Sequence, residues 1–284
     1  MALTINTNLS SITAQSNLNK ATKSLNQSIE RMTTGYKINH ASDNAAGYSI
    51  SKNWETQISS LDIAADNAAT GADMLTTLED TYSLISSHLQ RVRDLTEQAA
   101  NGTYGDASKD AIESEMTARL EEVNRIVANC EFNGLKMMDG SLGDIDLQVG
   151  LYSNADSRIT LKDTLFAKAD IKTLFGEELA DVAKKCSGKD TAATASSMLT
   201  KIDEVINGIS GRVTTLGSAQ NRIESAVESI GVQSENLTSS LSTLRDADVA
   251  EESSNYIKSQ ILQQAAATLL ATANQSPSIA LNLI

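Results

Sequence analysis

The stretch IDEVINGISGRVTTLGSAQNRIESAVESIGVQSENLTSSLSTL (Ile202–Leu244) indicates the fold of this chain. Large aliphatic residues recur in it every seven positions, at Ile202, Ile209, Leu216, Ile223, Ile230, Leu237 and Leu244. A weaker row halfway between them includes Val205, Arg212 and Ala219. This repeat predicts a long amphipathic helix, or two helices with a joint near Gly231, packed in a bundle with other helices.

The composition agrees with long helices packed side by side. Only 4% of the 284 residues are aromatic, and the chain has a single proline. The net charge of −13 argues against binding to nucleic acid or to anionic membranes. No run of apolar residues is long enough for a membrane span, and the first residues, MALTINTNLS, lack the basic and apolar regions of a cleavable signal peptide. We therefore expect a soluble protein that, if it is exported, leaves the cell by another route.

Both ends of the chain are predicted to be helical. The N-terminal stripe of apolar residues contains Leu18, Leu25, Ile29 and Met32. The C-terminal stripe contains Val249, Tyr256, Ile261, Leu262, Leu269 and Leu270. We expect Gly35 to end the first helix and Pro277 to end the last. A single chain cannot fully bury these stripes, so we expect the ends to pair with each other and to assemble with other copies.

Helices are also predicted between the ends. Residues 36–56 have the pattern of a connector followed by a helix that starts near Ala45. Apolar residues at alternating spacings of three and four predict helices over 73–101 and 108–130, joined by a short hinge at Gly102. Two antiparallel helices would result, with the seven-residue repeat as the third member of the bundle.

The period changes at the sequence Phe132-Asn133-Gly134. Asn-Gly is a strong signal for a tight hairpin turn, and apolar residues alternate with polar ones from about residue 145 onward. We therefore predict a small β region over about 135–162, and one short helix in a variable segment over about 163–195. The predicted fold is mainly α: a long-helix coiled-coil bundle with paired terminal helices and a β-hairpin region inserted mid-chain.

No pattern in the sequence predicts a catalytic, cofactor or metal site. The chain contains no HExxH, no GxSxG and no phosphate-binding glycine loop. His40 is expected to be solvated or hydrogen-bonded, since no ligand residues stand at the required spacing. Cys130 and Cys186 flank no metal motif, and we expect two unpaired thiols; one disulfide is the alternative. These observations argue against an enzyme.

Four separated motifs resemble those of bacterial flagellins. They are ERMTTGYKINHASDNAAGYSIS (Glu30–Ser51), LQRVRDLTEQAANGTYG (Leu89–Gly105), CEFNGLKMM (Cys130–Met138) and LRDADVAEESSNYIKSQILQQAAATLLATANQSP (Leu244–Pro277). The resemblance covers nearly the whole chain outside 163–195. The two cysteines depart from the family pattern, because flagellins usually lack cysteine.

The resemblance implies an exported subunit that polymerises into the extracellular flagellar filament for swimming. Residues 1–45 and 245–284 would form the terminal coiled-coil assembly domain, and 46–244 the helical rod domain. Implied partners are other copies of the chain, the filament cap and hook junction proteins, and a secretion chaperone that binds the C-terminal helix. A hook–filament junction protein of the same superfamily is one alternative. A secreted translocator that inserts into membranes is another, from a different class.

The resemblance also implies a receptor site. Arg91, Leu95 and Glu115, with Gln90 beside them, stand where flagellins recognised by the innate receptor Toll-like receptor 5 carry the corresponding residues. Leu89 and Val92 belong to the predicted buried stripe. We therefore expect Arg91 and Leu95 to face partly outward, which would make them a plausible hot spot for binding.

Overall fold

A computed structural model describes residues 7–188 and 192–281. Within these residues the helices are α1 (Leu9–Thr34), α2 (Ala45–Ala100), α3 (Asp106–Asn129), α4 (Ile171–Phe175), α5 (Leu179–Cys186), α6 (Ala192–Arg245) and α7 (Val249–Leu281). The strands are β1 (Glu131–Phe132), β2 (Leu135–Lys136), β3 (Ile145–Gln148) and β4 (Arg158–Leu161). The mainly α fold with a small mid-chain β region is confirmed.

The described chain divides into two compact units. One contains the residues up to Ile58 and from Glu235 onward, and the other contains Ser59–Ser234. We call them the terminal unit and the central unit. The long helices α2 and α6 each contribute residues to both.

Helix α6 contains the seven-residue repeat without interruption, so the joint considered at Gly231 does not form. The repeat is buried through the central unit, at Ile202, Ile209, Leu216, Ile223 and Ile230. In the terminal unit, Leu237 and Leu244 are only half-buried. The same pattern of residues thus packs fully in one unit and incompletely in the other.

In the central unit, α2 contacts both α6 and α3, and each of the three helices has a buried apolar face, as expected for the predicted bundle. The buried face of α2 includes Leu78 and Ile85, and that of α3 includes Met116 and Leu120. Side-chain hydrogen bonds also join α2 to α6. Arg93 Nε donates to Asp203 Oδ1 at 2.6 Å, and Gln220 Nε2 donates to Glu79 Oε2 at 3.0 Å.

Arg212, the charged member of the weaker row in α6, has a structural role that the repeat did not predict. Its Nη1 donates to the carbonyl of Ala167 at 3.0 Å and to the hydroxyl of Tyr82 at 3.2 Å. Tyr82 is fully buried, and this burial raises the pKa of its hydroxyl above the ordinary value. Arg212 therefore joins α6 to α2 and to the segment before α4.

The predicted hairpin turn at Asn133-Gly134 forms, although β1 precedes the predicted β region of about 135–162, and a second hairpin lies within that region. Asn133 and Gly134 adopt φ values of 49° and 79° and join β1 to β2 in a two-residue turn. Strands β3 and β4 pair antiparallel. Their hairpin lies close to α2, because a Cβ atom added at Gly71 would be 2.3 Å from Leu147 Cδ1. Glycine at this position permits the close approach.

The prediction of one short helix over about 163–195 is wrong, because residues 163–188 contain two helices. These residues form a 3-10 turn (Asp163–Phe166) followed by two helices, α4 and α5. Phe166, Ile171 and Val182 of this segment are fully buried. The Ile171 amide donates to Asn124 Oδ1 of α3 at 2.9 Å. The segment is thus packed into the core of the central unit.

The ends of α1 and α2 follow from local chemistry. Asn8 caps α1 by accepting from the Ser11 amide at 3.0 Å, and Gly35 ends it in the left-handed conformation, as predicted. Helix α2 begins at Ala45, also as predicted, with Asn44 Oδ1 accepting from the Gly47 amide. The prediction that Pro277 ends the last helix is wrong, because α7 continues to Leu281. Proline removes one hydrogen bond from a helix but does not always end it.

Candidate assembly surface

Helices α1 and α7 pair antiparallel along their length. The Asn8 side chain donates to the Ala273 carbonyl at 2.7 Å at one end of the pair. The hydroxyls of Ser24 and Ser259 are hydrogen-bonded at 3.0 Å in the middle. At the other end the Ala247 amide donates to the Gly35 carbonyl at 2.8 Å. The predicted pairing of the terminal helices is confirmed.

Small residues form the buried seam of this pair. On α1 they are Ala14, Ala21 and Ser28, and on α7 they are Ser259 and Ala266. Successive members of each set are seven positions apart, so they recur on one face of each helix. Small side chains let two helix backbones approach closely, which leaves the larger aliphatic residues on the outer faces.

The predicted assembly residues therefore lie largely outside the seam. The exposed ones are Ile29, Met32, Val249, Ile261, Leu262 and Leu269. Those half-buried are Leu18, Leu25, Tyr256 and Leu270. Leu9, Ile12 and Ile257 are also exposed large aliphatics that the predicted set omitted, although each has the helical spacing that could have identified it. We call all of these outward residues the aliphatic faces of the terminal pair.

A groove runs along one side of the pair between α1 and α7. Its volume is about 440 Å³, and its floor includes Ala14, Ala21 and Ala266. Leu262 and Leu269 stand at its edge. The groove thus combines a floor of small residues with large exposed aliphatic side chains at its edge, and Asn17, Lys20 and Ser24 of α1 also line it.

The four residues of the predicted receptor site are only partly brought together at the surface. Arg91 Nη2 lies 2.9 Å from Glu115 Oε1, so α2 and α3 are joined there by an exposed ion pair. Gln90 is exposed beside it. Leu95 is only 2% exposed, which corrects the expectation that it faces outward. Leu95 follows Val92 by three residues, which places the two side chains about 60° apart around the helix axis. Leu95 therefore lies on the same wide buried face as Val92.

The described residues contain two buried thiols and no group of three side chains suited to a metal ion. Cys130 and Cys186 are both free, which confirms the prediction of unpaired cysteines. Burial raises the pKa of the Cys186 thiol to about 11, so the thiolate is disfavoured. His40 is hydrogen-bonded, with Nε2 2.8 Å from Glu30 Oε1. Among the helices of residues 7–188 and 192–281, none is both long and apolar enough to span a bilayer.

Comparison with known proteins gives a consistent result over the full chain. Residues 5–142 match the bacterial flagellin N-terminal helical region, and residues 199–284 match the bacterial flagellin C-terminal helical region. The chain is 32% identical to flagellin of Bacillus subtilis, over 99% of both chains, and 30% identical to flagellin B of Vibrio anguillarum, over 100% of both.

A solved structure of much lower sequence identity has a similar fold. A putative flagellar hook-associated protein from Vibrio parahaemolyticus matches with a TM-score of 0.61 and 14% identity. The match covers 72% of this chain and 100% of that one. It shows a shared fold.

A helical body and a terminal helix pair with exposed aliphatic faces define a class of structural subunits. This chain belongs to the bacterial flagellin family. Members of this family are subunits of the flagellar filament, which serves motility, and the chain is accordingly a component of the bacterial flagellum.

Proposed function

We propose that this protein is exported from the cell and polymerises into an extracellular flagellar filament by burying its terminal helix pair between copies. Residues 1–45 and 245–284 would act as the assembly domain, and 46–244 as the rod domain. The observation that carries the proposal is the arrangement of the terminal pair. Its seam holds small residues, whereas its large aliphatic side chains face outward.

The energetics favour burial of these faces. Each large aliphatic side chain that moves from water into a packed interface contributes roughly 1.5–3 kcal/mol. The groove beside Leu262 and Leu269 offers a surface where an aliphatic face of a neighbouring copy would pack. The face that enters this groove would be one that does not line it, such as the face with Ile29 and Met32 on α1. The contact would then be heterologous and would extend into an open filament instead of a closed ring.

Two substitutions of exposed residues test the proposal. Leu262→Asn together with Leu269→Asn removes two exposed aliphatic side chains and should leave the fold intact, since exposed substitutions usually change stability by about 0.5 kcal/mol or less. Electron microscopy after salt-induced polymerisation should show filaments for the natural chain and few or none for the double variant. Leu84→Asn is the matched control, because Leu84 is similarly exposed in the central unit. Normal filaments from the double variant would contradict the proposal.

The same aliphatic faces support further partners before and during assembly. A secretion chaperone would cover the face of α7 that contains Ile257, Ile261 and Leu269, in the manner of a helix lying in a groove. Filament cap and hook junction proteins would contact the terminal pair at the ends of a filament. These assignments rest on the family resemblance and on the exposure of α7.

Recognition by Toll-like receptor 5 is proposed with three of the four residues that the sequence indicated. Arg91, Gln90 and Glu115 support it because they are accessible on adjacent helices. The burial of Leu95 restricts its role to holding α2 in place.

A hook–filament junction role is the second candidate. The likeness in fold to a putative hook-associated protein favours it, but the relatives of 30–32% identity are flagellins. Formation of long filaments by the purified chain alone would favour the filament subunit, whereas assembly restricted to the ends of existing filaments would favour the junction protein.

A further inference from the structure

The sulfur-containing residues differ sharply in exposure within residues 7–188 and 192–281. Cys130 and Cys186 are both buried there. Met32 is the one sulfur-containing residue of these ranges that is exposed, at 38%. The seventh methionine of the chain, Met1, lies outside the described residues. The other five methionines are no more than 5% exposed: Met74, Met116, Met137, Met138 and Met198.

This difference decides which sulfur an oxidant in solution would reach. A thiol reacts as its thiolate, and burial raises the pKa of both the Cys130 and the Cys186 thiol. The two cysteines are therefore shielded by packing and by protonation together. A thioether has no proton to lose, so its reactivity depends on access. Within the described ranges, Met32 is thus the sulfur-containing residue most open to a peroxide.

Met32 also lies where a change of polarity would matter. It follows Ile29, which is 44% exposed, by three residues on α1, so the two side chains are neighbours on the helix surface. Neither residue belongs to the small-residue seam, and neither lines the groove between α1 and α7. In the proposed filament this aliphatic face would pack against a neighbouring copy.

We propose that Met32 is an oxidation site through which a peroxide controls assembly, because a subunit with the Met32 sulfoxide is excluded from the filament. The inference rests on the proposed function and adds a regulatory chemistry to the same surface. It has two parts, the selective oxidation of Met32 and the effect of the sulfoxide on packing, and each part has its own measurement.

The step transfers one oxygen atom. A lone pair of the Met32 sulfur attacks one oxygen of hydrogen peroxide, and the O–O bond breaks as the new S–O bond forms. The proton of the transferred oxygen passes to the departing hydroxide, which leaves as water. The sulfur loses two electrons, and the peroxide is reduced by two.

The product changes the face on which it lies. A sulfoxide oxygen is a polar acceptor, whereas the thioether is apolar and adapts to irregular surfaces. An apolar surface of a neighbouring copy would offer this oxygen no donor, and burial of a polar group without a hydrogen bond is unfavourable. In the free subunit the same oxygen would be hydrated, so oxidation should weaken assembly without unfolding the chain.

Peptide mapping by mass spectrometry tests the first part. The unpolymerised protein is treated briefly with hydrogen peroxide. Met32 should be oxidised at least about tenfold faster than Met74 or Met198, because both of these are buried. In urea, where the chain is unfolded, the three should react alike. Equal rates in the folded protein would overturn the proposal, and this measurement needs no filament.

Partition between filament and solution tests the second part in the natural chain. Subunits that are partly oxidised at Met32 are polymerised, and the filaments are collected by centrifugation. The sulfoxide fraction at Met32 should be at least about threefold higher in the subunits left in solution than in the filaments. Equal fractions in filaments that do form would overturn the control of assembly alone. Failure of the untreated protein to polymerise would contradict the proposed function itself.

Met32→Leu is the matched variant, since it removes the sulfur and keeps an aliphatic side chain of similar volume. Each protein is compared with its own untreated sample. Peroxide should lower the polymerised amount of the natural chain at least about threefold and that of Met32→Leu by less than about 1.5-fold. Met1 is present in both proteins, so its oxidation cancels in this comparison. An equal loss in both would show that Met32 is not the controlling site.

Repair completes the test. Methionine sulfoxide reductases of both stereospecificities, supplied with dithiothreitol, return the sulfoxide to the thioether while the dithiol becomes a disulfide and the oxygen leaves as water. Polymerisation of the oxidised natural chain should then recover. Loss that persists after mass spectrometry shows a reduced Met32 would place the damage elsewhere and contradict the proposal.

Discussion

The guanidinium carbon of Arg245 lies 3.9 Å from the centre of the Tyr36 ring, and the same guanidinium forms an ion pair with Glu55. Tyr36 follows α1, and Arg245 is the last residue of α6. Beside this contact the Lys37 amide donates to the Arg245 carbonyl at 2.7 Å. Arg245 thus fastens the connector after α1 to the end of α6 within the terminal unit.

Arg245→Gln should loosen this joint by about 1–3 kcal/mol, since it removes both the stacking contact and the ion pair. Hydrogen exchange measures the effect: the amides of Lys37 and Ala247 should exchange faster, while core amides of the central unit provide an internal reference. Arg245→Lys should give a smaller effect because it retains charge. Unchanged exchange at Lys37 in Arg245→Gln would show that the backbone alone holds the joint.

Gly150→Ala should destabilise the central unit by about 1–3 kcal/mol. A Cβ at this position would lie 2.9 Å from the Cα of Ser157, which is backbone and cannot move aside easily. Gly143→Ala is the control, because no atom lies within 4 Å of the added Cβ there. Thermal unfolding of the two variants gives the comparison, and equal midpoints would contradict the packing of this hairpin.

Leu95→Ala and Arg91→Ala should separate stability from recognition. Leu95 is buried, so its truncation should cost about 2–5 kcal/mol in unfolding free energy. Arg91 forms an exposed ion pair, and its loss should cost less than about 1 kcal/mol. Chemical denaturation tests both values. In a receptor reporter assay Arg91→Ala should lower signalling while the fold is retained, and undiminished potency would remove Arg91 from the receptor site.

The stability of the protein should fall between about pH 9 and pH 11 in part because of Cys186. Its pKa is about 11 in the folded chain and 9.0 as the reference value, so in this range the unfolded thiol loses its proton while the folded thiol keeps it. The unfolded state then binds fewer protons, and stability decreases as pH rises, by up to about 2–3 kcal/mol. Cys186→Ala should flatten this part of the profile of unfolding midpoint against pH. A profile identical to that of the natural chain would contradict the burial of the thiol.

The sequence was most informative where large aliphatic residues repeat. The seven-residue repeat from Ile202 to Ile230 predicted a packed helix. Residues seven positions apart lie on one face of a helix, whereas in a strand they would alternate between the two faces. The repeat did not show that α6 continues through Gly231. A glycine lowers helix stability by about 1 kcal/mol, which tertiary packing readily offsets.

The seam of the terminal pair was missed because alanine and serine carry little hydrophobic signal. Ala14, Ala21 and Ser28 are at heptad spacing. The apolar stripe was nevertheless predicted from the larger residues near them, such as Leu18 and Leu25. The position of Leu95 was missed for a related reason: the buried face of α2 is wider than a single stripe, since it meets helices on more than one side. The helices α4 and α5, of five and eight residues, are too short for a periodic signal.

The central claim is that the aliphatic faces of α1 and α7 become buried between copies. Hydroxyl-radical footprinting of Ile261, Leu262 and Leu269 in the unpolymerised protein and in the filament tests it most directly. The account predicts that these exposed side chains are reactive in the subunit and strongly protected in the filament, whereas Ile38, which is buried within the terminal unit, is protected in both. Filaments in which Ile261, Leu262 and Leu269 remain as reactive as in the subunit would contradict it.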